Sequence, residues 1–168
     1  MRNRVLSVLA AAALTACQGG NTVSDAQRTA AIGEVSQTVD SLFAAMNAHD
    51  PDRLLAHYRK GNDFTYVAVA TTMRGWDAFA GMTRAYVAQH PDVTFEHHIL
   101  QIQVPAPDVA VATIEGSASD APFLMWTQVY VRENGRWVIT LEHESWPGAR
   151  EPAPSPPSME LPGADTAR

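Results

Sequence analysis

The sequence predicts an α+β fold, with helices first and an antiparallel meander after them. Three observations carry this. Ile32, Val35, Val39, Leu42, Phe43 and Met46 recur at spacings of three and four, the single apolar stripe of an amphipathic helix. Beyond His90-Pro91 the period changes from helical to alternating, as it does in half-buried strands. Asn134-Gly135 then sits between two alternating runs, where both residues tolerate positive φ and close a tight hairpin.

The elements follow in order. After the first helix, Asp50-Pro51-Asp52 supplies an N-cap, a proline at the first helical position and an acid in the first turn. A short second helix is expected there, with Leu54, Leu55 and Tyr58 on its buried side. In Asp63 to Val69, Phe64, Tyr66 and Ala68 alternate with Thr65 and Val67, which predicts a strand. Gly75 opens a third helix with Trp76, Phe79, Met82, Tyr86 and Val87 along one side. His90-Pro91 ends it, because a residue before proline is pushed out of helical geometry. Four strands are expected next: Val93 to Val104, Val109 to Gly116, Phe123 to Arg132, and Arg136 to Trp146. Sheet strands following helices place the helices against one face of a curved antiparallel sheet.

Several stretches together resemble the nuclear-transport-factor-two-like superfamily. They are Asp50-Pro51-Asp52-Arg53-Leu54, Phe64-Thr65-Tyr66 and Arg74-Gly75-Trp76-Asp77-Ala78-Phe79, followed by the meander. Within it, Thr127-Gln128-Val129-Tyr130-Val131-Arg132, Gly135-Arg136-Trp137-Val138-Ile139 and His143-Glu144-Ser145 are similar to the SnoaL-like branch. The resemblance covers residues 29–147. It implies a cone-shaped fold of the ketosteroid-isomerase type, in which the sheet curls round the first helix and leaves a pocket at the wide end. Enzymes of this superfamily, such as ketosteroid isomerase and scytalone dehydratase, use a pocket carboxylate or histidine as base beside an oxyanion stabiliser.

The last strand is the place to look for such groups. Strict alternation gives Trp137, Ile139, Leu141, His143 and Ser145 one face, and Val138, Thr140, Glu142, Glu144 and Trp146 the other. The first is the more apolar, so it is expected to face the helices. His143 and Ser145 then either point into the pocket or leave the core for solvent. The candidate catalytic residues are accordingly His143, Tyr66 and Tyr58, the phenols being able to donate into an apolar cavity or merely to anchor packing. The candidate lining residues are Trp76, His97, Met125, Thr127 and Ser145. Met125 stands where the SnoaL-like pattern often has an inward arginine, which implies a more apolar pocket. Trp126 and Tyr130, on the opposite face from Met125 and Thr127, are candidates for the sheet surface through which such domains dimerise. His97 and His98 are adjacent on one strand and so face opposite sides, and no ligand-spaced cluster of His, Cys, Asp and Glu occurs. No metal and no cofactor are expected. No nucleophile elbow, phosphate loop or dinucleotide fingerprint is present.

The N-terminal segment has Arg2 and Arg4 before the apolar run Val5 to Ala13, then Leu14-Thr15-Ala16-Cys17. A charged start, a short apolar middle and small residues at the exit describe a secretory signal over residues 1–16, too short to span a bilayer. Leu14-Thr15-Ala16-Cys17 resembles the lipobox of bacterial lipoproteins, which implies lipid on Cys17, the sole cysteine of the chain. A protein so anchored sits in the cell envelope, and Gln18 after the cysteine favours the outer membrane, facing the periplasm, in a Gram-negative cell. Residues 17–28 read as a polar tether and 148–168, with Pro152, Pro154, Pro156, Pro157 and Pro162, as a disordered tail. Cleaving residues 1–16 removes two arginines and no acid, which takes the net charge of −6 down by two, to −8. That charge repels phosphate backbones, so no nucleic-acid partner is expected. Three functions remain open: a pocket for a small, largely apolar molecule, an isomerase, dehydratase or cyclase using His143 with Tyr58 or Tyr66, and a homodimeric adaptor without catalysis.

Overall fold

The structure, a computed structural model, describes residues 22–68 and 71–146. The expected signal segment, the lipidation site Cys17 and the Pro-rich tail lie outside the described residues.

Helix α1 runs from Asp25 to Asn47 and starts earlier than the apolar stripe alone suggests. Ser24 accepts a hydrogen bond from the Gln27 backbone N–H while the Gln27 side chain accepts from the Ser24 N–H. This capping box satisfies two of the orphan donors at the helix start. Asp25 to Arg28, expected in the tether, therefore belong to α1, and Arg28 Nη1 donates to the Val104 carbonyl at 3.0 Å. Val35, Val39, Leu42 and Phe43 are buried as the stripe requires, joined by Ala31 and Ala45, while Ile32 lies at the surface. Helix α2, Pro51–Leu55, is capped by Asp50, whose carboxylate accepts from the Arg53 N–H at 2.9 Å. Helix α3, Trp76–Gln89, begins after Gly75, whose φ of 84° is open to glycine and strained for other residues.

Six strands form one curved, unclosed sheet: β1 Thr65–Ala68, β2 Thr71–Arg74, β3 Phe95–Ala106, β4 Val109–Ala118, β5 Ala121–Glu133 and β6 Arg136–Ser145. Their order is β2-β1-β6-β5-β4-β3. All neighbours are antiparallel except β1 and β6, which are parallel and bring the N-terminal hairpin onto the end of the meander. Strand β2 has no alternating apolar pattern, and nothing in the sequence marked it. Helix α1 packs along the inner face, where Ala110, Ala112, Ile114, Trp126, Tyr130 and Ile139 meet its apolar stripe. At the narrow end Glu34 of α1 accepts from Trp137 Nε1 at 2.8 Å and from Arg132, whose guanidinium lies 4.5 Å from the Trp137 ring. The far end stays open, and a cavity forms there.

One irregularity decides which side chains reach that cavity. Along β5 and β6, Tyr130 pairs with Ile139 but Val129 pairs with Leu141, so Thr140 is an extra, bulged residue. A one-residue insertion reverses the facing of every residue beyond it. Before the bulge Trp137 and Ile139 face inward. After it Glu142 and Glu144 do, opposite Gln128 and Trp126. The unbroken alternation expected for this strand is corrected accordingly: His143 and Ser145 turn to the outer face.

Candidate functional site

The cavity encloses about 380 Å³ between α1, α3 and the inner face of the sheet. Its walls are mostly apolar: Leu42, Phe43 and Met46 from α1, Phe79, Met82 and Val87 from α3, and Leu124 and Trp126 from β5. Met82, Tyr86 and Val87 are only partly covered because this stretch of α3 faces the hollow instead of solid core. The polar groups converge at one place. Glu142 is 4 % exposed, and its Oε2 accepts from the Tyr58 hydroxyl at 2.9 Å and from Gln128 Nε2 at 2.7 Å. Tyr130 in turn donates its hydroxyl to Gln128 Oε1. Two residues further along β6, Glu144 Oε2 accepts from the Tyr66 hydroxyl at 2.8 Å.

Each member has an identifiable local cause. Tyr58 follows α2, where the chain pairs briefly with β6: the Ile139 N–H donates to the His57 carbonyl at 2.9 Å, and the Arg59 N–H to the Ile139 carbonyl at 2.8 Å. Its ring is then wedged among Phe64 and Phe79, with centroids 5.6 and 4.6 Å away. Tyr66 lies level with Glu142 in the parallel β1–β6 pairing, which aims its hydroxyl one step on, at Glu144. Gln128 and Tyr130, two apart on β5, share the inner face as the strand period demands.

Burial in this apolar hollow, reinforced by the negative charge of Glu144, pushes the Glu142 carboxyl up to about 7 from its ordinary 4.5, against the lowering influence of its bonds from Tyr58 and Gln128. Glu144 is raised as well, chiefly by burial, and the Tyr66 hydroxyl and the Trp126 indole counteract it. The Tyr58 and Tyr66 phenols are held far above their usual range, first by burial and then by the neighbouring carboxylate charge, so both remain donors. The result is one acid that can exchange a proton near neutral pH, with a second raised acid beside it, inside a mostly apolar wall.

The candidates from sequence divide sharply. Tyr58 and Tyr66 line the cavity and carry the two carboxylates. His143 is exposed on the outer face, paired across from Thr127, and Ser145 is paired across from Met125. These four do not line the cavity, because the Thr140 bulge turns β6 over and the β5 alternation runs opposite to expectation. Trp126 and Tyr130, at 3 % and 0 % exposure, are core residues and not an exposed dimer surface. Trp76 opens α3 outside the cavity, beneath Lys60 Nζ at 5.0 Å from its ring, with its indole N–H buried and unpartnered. His97, expected in the pocket lining, does point toward α1, but it stacks on Phe43 at 4.1 Å and bonds Asp40 through Nε2 at 3.0 Å instead of reaching the hollow. Sequence reasoning missed Glu142, Glu144 and Gln128. Among the described residues no group of three or more His, Cys, Asp or Glu stands together as a metal site.

A family model for the SnoaL-like domain matches residues 35–149. The chain belongs to that family, and its fold is NTF2-like. Solved structures share the architecture. An NTF2-like protein of unknown function from Shewanella oneidensis MR-1 is 21 % identical, over 68 % of this chain and 98 % of its own, with a TM-score of 0.61. A Streptomyces avermitilis protein of the NTF2-like family, provisionally named a dehydratase, is 15 % identical over 71 % and 97 %, with a TM-score of 0.64. One from Novosphingobium aromaticivorans DSM 12444, provisionally named a scytalone dehydratase, is 12 % identical over 72 % and 87 %, with a TM-score of 0.61. At such identities the likeness extends to the fold alone. No match was found among curated proteins.

Proposed function

We propose that this is a lipid-anchored protein of the cell envelope whose SnoaL-like domain takes up a small, largely apolar molecule. The observation that supports the reading is the cavity itself: about 380 Å³, walled by aromatic and aliphatic side chains, with its few polar groups gathered at Glu142 and Glu144. A hollow of this size and lining suits a compact apolar ligand oriented by one or two polar contacts. The anchor rests on Leu14-Thr15-Ala16-Cys17 following an apolar run, and it accounts for envelope localisation without a spanning helix. Among the described residues no helix is long and apolar enough to cross a membrane.

The paired carboxylates favour a second reading, a proton-transfer enzyme of the isomerase, dehydratase or cyclase kind. Glu142 takes both its protein hydrogen bonds on Oε2, and its other oxygen is not among the buried, unpartnered polar atoms. Glu142 lines the hollow, which leaves that oxygen to accept a substrate proton. Glu144, bonded to Tyr66, is placed to return a proton elsewhere on the same molecule. This role falls to the glutamates and not to His143.

Native mass spectrometry of protein purified from envelope extract tests the leading reading. A co-purifying small molecule, or a metabolite that raises the melting temperature, is the expected result. A ligand-free protein that no member of a broad metabolite panel stabilises would overturn it. Replacing Cys17 with alanine is expected to move the protein from the membrane to the soluble fraction, and retention in the membrane would remove the anchor from the account.

A further inference from the structure

We propose that the cavity selects an organic cation, a compact apolar body carrying one protonated amine. The inference rests on the reading of the cavity as a binding site and specifies the chemistry of its occupant. It follows from which polar groups remain available there.

Three acids line the cavity: Asp120 in the turn at its mouth, then Glu144 and Glu142 deeper in. No lysine or arginine lines it among the described residues. Arg84 is engaged outside it with Asp52 at 2.9 Å, and Arg59 with Asp63 and Glu133, each at 2.7 Å. The two lining imidazoles are tied to backbone carbonyls, His49 Nε2 to Val93 and His90 Nδ1 to Tyr86, both at 2.9 Å. The donors nearest the carboxylates are already used: Tyr58 and Gln128 on Glu142, Tyr66 on Glu144. A ligand reaching this region therefore meets acceptors, the open carboxylate oxygen of Glu142 above all, and few free donors. Above pH 7, where Glu142 is ionised, a carboxylate or phosphate would meet acids there and no lysine or arginine. An ammonium group meets the opposite: charge-assisted acceptors and the aromatic side chains of Tyr66, Tyr86, Trp126 and Trp146 in the lining. The rest of the wall is apolar and suits the body that carries the amine.

The test compares four probes on one skeleton at about pH 8, where a primary amine with an ordinary pKa near 10 is protonated. They are 4-phenylbutylamine, 4-phenylbutan-1-ol, 4-phenylbutan-2-one and 4-phenylbutyrate, each titrated calorimetrically into the intact domain. The amine is expected to bind about tenfold tighter than the alcohol or ketone, a difference within reach of a charge-assisted bond and cation–π contact, and the acid weakest. Glu142→Gln is expected to bring the amine to within about twofold of the alcohol, and Glu144→Gln to shrink the preference in the same direction. Asp120→Asn, on an exposed turn remote from the core, repeats the comparison without risk to folding and is expected to shrink the preference in the same direction. Alcohol or ketone binding as tightly as the amine would overturn the cation selectivity and leave the binding cavity intact. Failure of all four to bind would overturn the cavity reading, and the selectivity with it.

Discussion

Replacing Glu142 with glutamine should make the domain more stable, and only above a particular pH. The native carboxyl titrates at about 7, against about 4.5 in the unfolded chain. Between those values the folded protein holds a proton that the unfolded chain has released. Stability from this group is thus fully present below about pH 4.5 and is lost as pH rises through about 7. The difference of roughly 2.5 pH units corresponds to about 3 kcal/mol, an order-of-magnitude figure for the cost of ionising this buried acid. Glutamine keeps a carbonyl oxygen where Tyr58 and Gln128 donate and carries no charge at any pH. The variant and the parent should have similar stabilities near pH 4, with the variant gaining on the parent toward pH 8 by up to about 3 kcal/mol. Groups such as Glu34, lowered by its bonds from Trp137 and Arg132, titrate alike in both proteins and cancel in the difference. Urea unfolding followed by circular dichroism at half-unit pH steps measures it. A difference that does not change with pH, or one that favours the parent as pH rises, would refute the reasoning.

Other substitutions probe separate joints of the structure. Tyr58→Phe removes one of two donors to the Glu142 carboxylate and should cost about 1–3 kcal/mol near pH 8, less near pH 5 where the acid is protonated. Equal losses at both values would dissociate Tyr58 from the carboxylate. Gly116→Ala places a methyl group 2.1 Å from the Glu96 carbonyl oxygen and 3.1 Å from the Trp126 ring, so β3 and β4 must part locally. A lowered urea midpoint worth about 1–3 kcal/mol is expected, and an unchanged midpoint would contradict that contact. Asp50→Ala deletes the cap on α2 and should cost about 1 kcal/mol in the same assay. His143→Ala, on the outer face, should leave stability within about 0.5 kcal/mol of the parent and ligand affinity unchanged. A large loss of affinity there would return that imidazole to the site.

The architecture was legible because its signals are local and repeated. The α1 stripe, the Asp50-Pro51 start and the Asn134-Gly135 turn each have a direct stereochemical cause. The resemblance to SnoaL-like domains, now matched over residues 35–149, supplied the order in which they assemble. Helix α1 could have been started sooner, since Ser24 and Gln27 form a capping box readable as a spacing. The site was hidden by a single residue. A bulge at Thr140 has no compositional mark, and alternation carried through it assigns every later side chain to the wrong face. One clue was present: Trp126 and Tyr130 are large apolar residues on a common face of β5, which argues that their face is the inner one. Hairpin pairing from Asn134-Gly135 alone cannot carry that facing onto Glu142 and Glu144, because the bulge intervenes. Buried acids also contradict the general preference of glutamate for the surface, which holds unless a partner is supplied. Here Tyr58, Gln128 and Tyr66 supply it, from positions distant in sequence.

The placement of Glu142 and Glu144 inside the hollow is the step on which function depends, and carbon-detected NMR of the glutamate side-chain carboxyls measures it most directly. One resonance titrating near pH 7, lost in Glu142→Gln, is the expected spectrum. Glutamate carboxyls that all titrate in the ordinary range near 4.3 would place both acids in solvent and contradict the account.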